Sequence, residues 1–347
     1  FLFGPIRVIP QEYPNLTCQV IDLPNDSNRQ LDERHLALLG EEILSESNEP
    51  FVALRGWRWT PTLESMALGT VKNRKRFRTG GVYLITGGLG GMGLTFARHL
   101  TKTLRAKLIL VSRNHPPEDI KKQLREMESS GSTIMTASAD VANLEAMRDV
   151  IHRAKERFGI IHGVIHAAGV PGGSLIARGD EDEAARVMRP KVDGVRILEE
   201  IFKEDDLDFM VLCSSLTGRL GGIGQSSYCA ANAFLDGYAI SKSSRGKWPV
   251  VSIAWDSWKE VGMAARAIQG EYFPGKPTRA QPGENVLSFQ IRANEYWPLN
   301  EHRLDGRMIL PGASYLDLVW KAFSRPNKHL RIEKFVLQIP LVPEENN

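Results

Sequence analysis

Val82-Tyr-Leu-Ile-Thr-Gly-Gly-Leu-Gly-Gly-Met-Gly93 decides the fold. A β-branched apolar run ends in a glycine-rich turn that opens a helix, so the segment reads as the first βα unit of a nucleotide-binding sheet. Glycines at such a turn let the backbone approach a pyrophosphate, and the N–H groups and dipole of the following helix favour its negative charge. Thr86, Gly87, Gly88, Leu89, Gly90, Gly91 and Gly93 are the residues expected to hold that phosphate pair. A tight turn with close helix packing would use the same glycines, but the strand-loop-helix context favours the phosphate loop.

Downstream, short apolar runs alternate with amphipathic stretches, the signature of an α/β fold with a doubly wound, Rossmann-type parallel sheet. Strands are expected at Val82–Thr86, Lys107–Ser112, residues 132–139, 161–166 and 209–213, and Val250–Trp255. Asn143 is a suitable N-cap for a helix burying Leu144, Met147, Val150, Ile151, Ala154 and Phe158 and stopping at Gly159. Ahead of this, residues 18–23, 31–45 and 51–55 read as strand, helix and strand, half of another α/β unit. The run Phe273-Pro-Gly-Lys-Pro-Thr-Arg-Ala-Gln-Pro-Gly283 reads as a linker, and a different pattern begins near Val286.

Composition limits the function classes. The 347 residues are 42% hydrophobic and 24% charged, with a net charge of +3 and no apolar run long enough to span a membrane. Cys18, Cys213 and Cys229 have neither metal-ligand spacing nor an even count, which suits a reducing cytoplasm and no metal. No leader peptide is visible, and Phe1 without an initiator Met reads as the start of an excised piece. Lys72-Asn-Arg-Lys-Arg-Phe-Arg78 packs five cations into seven residues. Without a broader basic face this argues against nucleic acid and for a solvated linker, with steering of an acidic partner or cofactor phosphates as the other reading.

The ends of the expected strands carry further chemistry. Leu110-Val-Ser112-Arg113 closes the second strand 20 residues after Gly93, where an NAD-specific fold places an acid. An arginine there would pair with a 2′-phosphate, so NADPH is the expected cofactor. Asp140-Val141 is placed to meet the adenine, and His166-Ala167-Ala168-Gly169 to run close to the nicotinamide ribose. Tyr228 follows Ser215 by 13 residues. A tyrosine is a poor acid at pH 7 unless a cation stabilises its phenolate, and Lys191 in Arg189-Pro-Lys-Val-Asp-Gly194 can supply that charge. Ser215 would bond the substrate carbonyl, and Asn232, one turn after Tyr228, would hold a water or the lysine head group. Singly each has a structural reading; as a set they describe a hydride-transfer site.

These residues resemble the ketoreductase domain of modular polyketide synthases, a branch of the short-chain dehydrogenase/reductase superfamily, over about residues 5 to 262. The resemblance carries the serine, tyrosine and lysine roles to Ser215, Tyr228 and Lys191. Most short-chain dehydrogenases have Tyr-x-x-x-Lys; Tyr228-Cys-Ala-Ala-Asn232 with an upstream lysine is the swapped arrangement of polyketide and fatty-acid synthase reductases. It implies NADPH-dependent reduction of a β-ketoacyl chain on an acyl carrier protein, with other synthase domains as neighbours. Residues 1 to 70, through Gly4-Pro-Ile-Arg-Val-Ile-Pro-Gln-Glu-Tyr13 and Arg55-Gly-Trp-Arg-Trp59, are similar to the closing part of the silent Rossmann-like subdomain that braces these reductases. The expected division is a partial structural subdomain (1–70), the catalytic domain (71–265), a linker (266–285) and a partial dehydratase of hotdog fold (286–347).

The family's stereochemical markers are missing: Pro171-Gly-Gly173 stands where one class has Leu-Asp-Asp, and Leu220 where the other has a Trp. After Met263 the family continues with another helix and a last strand, whereas the linker arrives within about ten residues here, leaving the acyl-binding wall in question. His302-Arg-Leu-Asp-Gly306 with Pro311 resembles the start of a synthase dehydratase, which makes His302 the base that removes the α-proton. That family's acid partner lies in a second hotdog, beyond Asn347. Two competing readings follow, a non-catalytic cofactor- or carrier-binding scaffold and part of a bifunctional reductase-dehydratase unit.

Overall fold

The computed structural model describes residues 1–24, 32–45, 47, 49–67, 76–243, 246–256 and 258, with the backbone of 303–304 and 307–308. Phe1–Ala265 form one unit and Arg266–Asn347 another. In the second, β10 (Arg303–Leu304) and β11 (Arg307–Met308) pair antiparallel, Leu304 opposite Arg307.

The N-terminal segment holds α1 (Pro5–Glu12), β1 (Val20–Asp22), α2 (Glu33–Leu44), β2 (Phe51–Leu54) and β3 (Arg58–Trp59). Strands β1 and β2 run parallel and β3 returns antiparallel, so the expected strand-helix-strand unit is present. Helix α1, which the sequence reading did not separate from this unit, packs instead against the helix Ser226–Ser243. A Cβ on Gly4 would lie 2.3 Å from the Ala230 nitrogen, so only glycine permits this approach.

The main sheet follows the expected strands: β4 (Val82–Thr86), β5 (Lys107–Ser112), β6 (Thr133–Ser138), β7 (Gly163–His166), β8 (Phe209–Ser215) and β9 (Val250–Trp255). All are parallel, in the order β6-β5-β4-β7-β8-β9. Helices cover both faces, which is why the central strands are apolar throughout. Val82, Leu84, Ile109 and Val111 face one core with Met147, Val195, Leu198 and Leu235. Tyr83, Ile85, Leu108 and Leu110 face the other, with Leu94, Ala97 and Leu124. Strand β8 extends two residues past its expected end, so Ser215 closes the strand opposite Trp255.

The helices between them are α3 (Gly91–Leu104), α4 (Glu118–Glu128), α5 (Leu144–Phe158), α6 (Glu181–Phe202), α7 (Thr217–Leu220) and α8 (Ser226–Ser243). Helix α5 is bounded as read: the Asn143 side chain accepts the Ala146 N–H, and Gly159 closes it at φ 79°. Its buried residues are Met147, Val150, Ile151 and Ala154.

The basic run behaves differently from a free linker where it is described. Arg76 donates to the Asp208 carbonyl at 2.9 Å and Arg78 pairs with the Asp208 carboxylate at 2.5 Å, fastening this stretch beside the start of β8. Residues 72–75, the stretch after Met263 and the expected linker lie outside the described residues. No helix among the described residues is long and apolar enough to cross a membrane.

Candidate active site

The site opens where β4 and β7, neighbours in space, send their chains to opposite faces of the sheet, the switch point at which such folds bind ligands. Thr86 ends β4 opposite His166, and the Thr86 hydroxyl lies 2.7 Å from His166 Nδ1. His166 is fully buried, and its Nε2 has no hydrogen-bond partner among the described residues. Burial and the nearby Lys191 charge push its pKa down to about 3, so the imidazole is held neutral.

The chain then turns at Gly87, φ +66°, and wraps onto the start of α3. A Cβ on Gly87 would lie 2.6 Å from the Ala167 oxygen, one on Gly88 2.7 Å from the Ile85 oxygen, and one on Gly93 2.3 Å from the Gly87 oxygen. Gly90 precedes the helix without a side-chain cap, so the first-turn N–H groups are left to another acceptor. Leu89 and Gly91 flank this cradle, which has the shape and polarity for a dinucleotide pyrophosphate. Gly93→Ala is expected to cost about 1–3 kcal/mol by overpacking. Denaturant titration checks it, and an unchanged midpoint would mean that the loop yields without cost.

Ser112 and exposed Arg113 close β5, and the Arg113 carbonyl accepts the Ser138 hydroxyl at 2.7 Å, tying the ends of β5 and β6. The Arg113 guanidinium makes no ion pair among the described residues. Asp140 caps its own turn through the Ala142 N–H at 3.0 Å, next to buried Val141. After β7, Ala167 donates its N–H to the Thr86 carbonyl, and Ala168 and Gly169 carry the chain toward Lys191. A Cβ on Gly169 would be 3.1 Å from Lys191 Cε, so the cofactor-side loop and the lysine are in contact.

Four expected catalytic side chains converge from three elements. Lys191 on α6 is 4% exposed, donates to the Cys213 carbonyl at 2.7 Å and lies 6.0 Å from the Tyr228 ring centre. Burial lowers its pKa to about 8, while Cys213 and Asp236 act the other way. Tyr228 on α8 is half-buried; burial raises its pKa, while the Asn232 and Ser215 side chains facing its phenol oppose the rise. Ser215 Oγ is 3.1 Å from the Thr217 hydroxyl and accepts the Thr217 N–H at 3.2 Å, which aims it from the strand end.

Of the two contacts expected of Asn232, a water or the lysine head group, the second is not made. Its amide donates to the Tyr228 carbonyl at 2.8 Å and does not hold the lysine, which the Cys213 carbonyl holds instead. Its Oδ1 is buried with no hydrogen-bond partner among the described residues. The sequence reading missed Asp236, a buried acid that takes the Ser252 hydroxyl at 2.6 Å and Arg219 at 3.3 Å. The signal was present: Tyr228, Asn232 and Asp236 recur every four residues, one face of a helix. His302 lies outside the described residues.

A parallel sheet in this order with a glycine cradle at its switch point and a Ser-Tyr-Lys group beyond it is a short-chain dehydrogenase/reductase-type domain. Residues 81–260 match the KR domain family, and residues 275–347 the polyketide synthase dehydratase domain family. The chain belongs to the ketoreductase (KR) family of polyketide synthases and continues into the start of a dehydratase domain. It is similar to polyketide synthase PksM of Bacillus subtilis, 40% identical over 191 residues, covering 55% of this chain and 4% of that protein. It is also similar to PksN of the same organism, 32% identical, covering 76% of this chain and 5% of the relative. The chain thus spans a small fraction of the curated relatives it matches. Among solved structures, A-type ketoreductases from a modular polyketide synthase align at a TM-score of 0.69 and 32% identity, over 76% of this chain and 55% of theirs. A ketoreductase domain from the bacillaene assembly line aligns at 0.66 and 29%, over 78% of this chain and 65% of that one.

Proposed function

We propose that residues 71–265 reduce a β-ketoacyl thioester on an acyl carrier protein to the β-hydroxyacyl thioester, using NADPH, within a cytoplasmic polyketide synthase. In this reading residues 1–70 brace the catalytic domain, 266–285 link it onward, and 286–347 begin a hotdog dehydratase. The observation that carries the proposal is the buried Lys191 ammonium beside the Tyr228 ring, with Ser215 facing the same phenol.

Ser215 and Tyr228 would bind the ketone oxygen between two O–H donors, where negative charge grows during reduction. When bound, NADPH supplies the hydride that the β-carbon receives. The C=O π pair moves to oxygen as the Tyr228 proton is transferred there, giving the hydroxyl. The phenolate left on Tyr228 is stabilised by Lys191, a strong effect because both groups are removed from water. Asn232 Oδ1 offers an acceptor for a water that returns the proton. The Gly87, Gly88, Gly90 and Gly93 cradle would hold the pyrophosphate, Ser112 and Arg113 the 2′-phosphate end, Asp140 and Val141 the adenine, and the Ala167–Gly169 backbone the nicotinamide ribose.

The direct test mixes the chain with NADPH and a β-ketoacyl thioester on carrier protein, following reduced-nicotinamide absorbance and product mass. Oxidation with a two-hydrogen mass gain is expected; cofactor binding without turnover would favour a scaffold. Arg113→Ala is expected to lower the kcat/KM preference for NADPH over NADH by roughly 10- to 100-fold, the worth of a lost charge-assisted contact. An unchanged ratio would move the 2′-phosphate contact elsewhere.

The match of residues 275–347 to a dehydratase family supports a second, sequential reading. The β-hydroxyacyl product is the substrate of a dehydration, for which His302 would remove the α-proton. In a protein that carries both hotdogs, His302→Ala should then leave reduction unchanged and abolish loss of water from the product.

A further inference from the structure

We infer that Glu12, in the N-terminal segment, is a positioning residue for the reductase site: it clamps together the two loops that flank Tyr228. The inference rests on the reductase reading above.

Glu12 ends α1 and is 4% exposed. Its two carboxylate oxygens go to different places. Oε2 accepts the Ile176 N–H at 2.7 Å, and Oε1 accepts the Gly224 N–H at 2.8 Å. Ile176 sits in the segment between β7 and α6, and Gly224 in the turn between α7 and α8, four residues before Tyr228. Beside it, Gln11 donates to the Leu220 carbonyl at 3.0 Å. A buried carboxylate is costly unless its charge is met by donors, so these bonds hold both loops to one point.

Those loops border the catalytic group. Gln225 donates to the Gly172 carbonyl at 3.3 Å, joining them a second time. A Cβ on Gly172 would lie 3.2 Å from Tyr228 Cβ, so the first loop rests on the tyrosine itself. The same loop begins beyond Gly169, which touches Lys191. In the reductase reading, a ketone bonded to Tyr228 and Ser215 would lie beside these segments. Their spacing therefore decides how the acyl chain lies and which face of the carbonyl is offered. The phosphate cradle at β4 and α3 does not take part, so loosening the clamp should affect the ketone and spare the cofactor.

Wild type, Glu12→Gln and Glu12→Ala, each as the full chain, are compared for kcat and KM with a β-ketoacyl thioester, product enantiomer ratio and NADPH dissociation constant. Glu12→Ala is expected to lose at least roughly 10-fold in kcat/KM, mainly through KM, with an eroded enantiomer ratio and NADPH binding within about twofold. Glu12→Gln should fall between, because its amide oxygen can satisfy one N–H and its NH2 group opposes the other. Unchanged KM and enantiomer ratio in Glu12→Ala overturn the inference, as does a parallel loss of NADPH affinity, which marks general loosening. If Glu12→Ala does not fold, Glu12→Gln decides by the same readouts. If the wild type turns over no ketone, the reductase reading fails, and amide exchange still tests the clamp. Slow exchange at Ile176 and Gly224 that accelerates in Glu12→Gln supports it, and fast exchange in the wild type removes it.

Discussion

Tyr228→Phe is expected to reduce turnover of a β-ketoacyl thioester by roughly 10²- to 10⁴-fold, the usual worth of a positioned general acid. The substitution deletes one oxygen and leaves the ring, so Lys191 keeps its aromatic neighbour at 6.0 Å from the ring centre and the packing of α8 is retained. The phosphate cradle is built from β4 and α3, elements that Tyr228 does not belong to, so the NADPH dissociation constant should stay within about twofold. The loss should therefore fall on kcat. Steady-state kinetics with a separate cofactor titration distinguish these effects. Retention of more than a tenth of the rate would transfer the acid role to another donor, with Ser215 the nearest.

Lys191→Met should act in opposite directions on stability and activity. The folded protein lowers the lysine pKa from 10.5 to about 8, because the ammonium is buried. That shift corresponds to a penalty of about 3 kcal/mol for keeping the charge inside. A methionine of similar length removes the penalty but leaves the Cys213 carbonyl without its side-chain donor, which costs about 1 kcal/mol. The net expectation at pH 7 is a reductase unit more stable by about 1–3 kcal/mol that turns over at least roughly 100-fold more slowly.

The pH dependence of the stability difference follows from the protons bound. Between pH 8 and 10.5 the unfolded chain holds a proton on Lys191 that the folded protein has lost. Wild-type stability therefore gains relative to the variant as pH rises through this window. Below it the burial penalty is fully present, and above it the advantage of methionine disappears. Denaturant titrations at pH 7 and near 10.5 check both ends; an advantage that persists at high pH would assign it to packing and not to charge. In the wild type, kcat/KM for ketone reduction should fall as pH rises past about 8, where Lys191 loses the charge that makes Tyr228 an acid.

The sequence by itself determined the elements whose causes are local. Val82–Thr86 could be read as a central strand because five apolar or β-branched residues in a row suit a strand covered on both faces. The cradle was legible because a glycine run between such a strand and a helix has few other uses, and α5 because its cap, its apolar period and its closing glycine lie within the helix itself. Ser215, Lys191, Tyr228 and Asn232 were nominated as a group from residue type, spacing and the family resemblance, and the structure brings their side chains together.

Their connections were not. Lys191 is held by a carbonyl 22 residues away, Arg78 reaches Asp208 across 130, and Glu12 meets Gly224 across 212. Nothing in the local pattern of either partner encodes these contacts: the lysine and Glu12 meet a backbone C=O and N–H, which carry no residue signature, and the Arg78–Asp208 ion pair joins charges far apart in the chain. Only the tertiary structure, by bringing α1 against α8 and α6 beneath the end of β8, decided that Asn232 bonds its own helix, that a strand carbonyl holds the lysine, and that an N-terminal carboxylate anchors the loops beside Tyr228. The physical reason is that burial forces each polar group to find a donor or acceptor among whatever the packing brings near, and packing is a property of the whole chain.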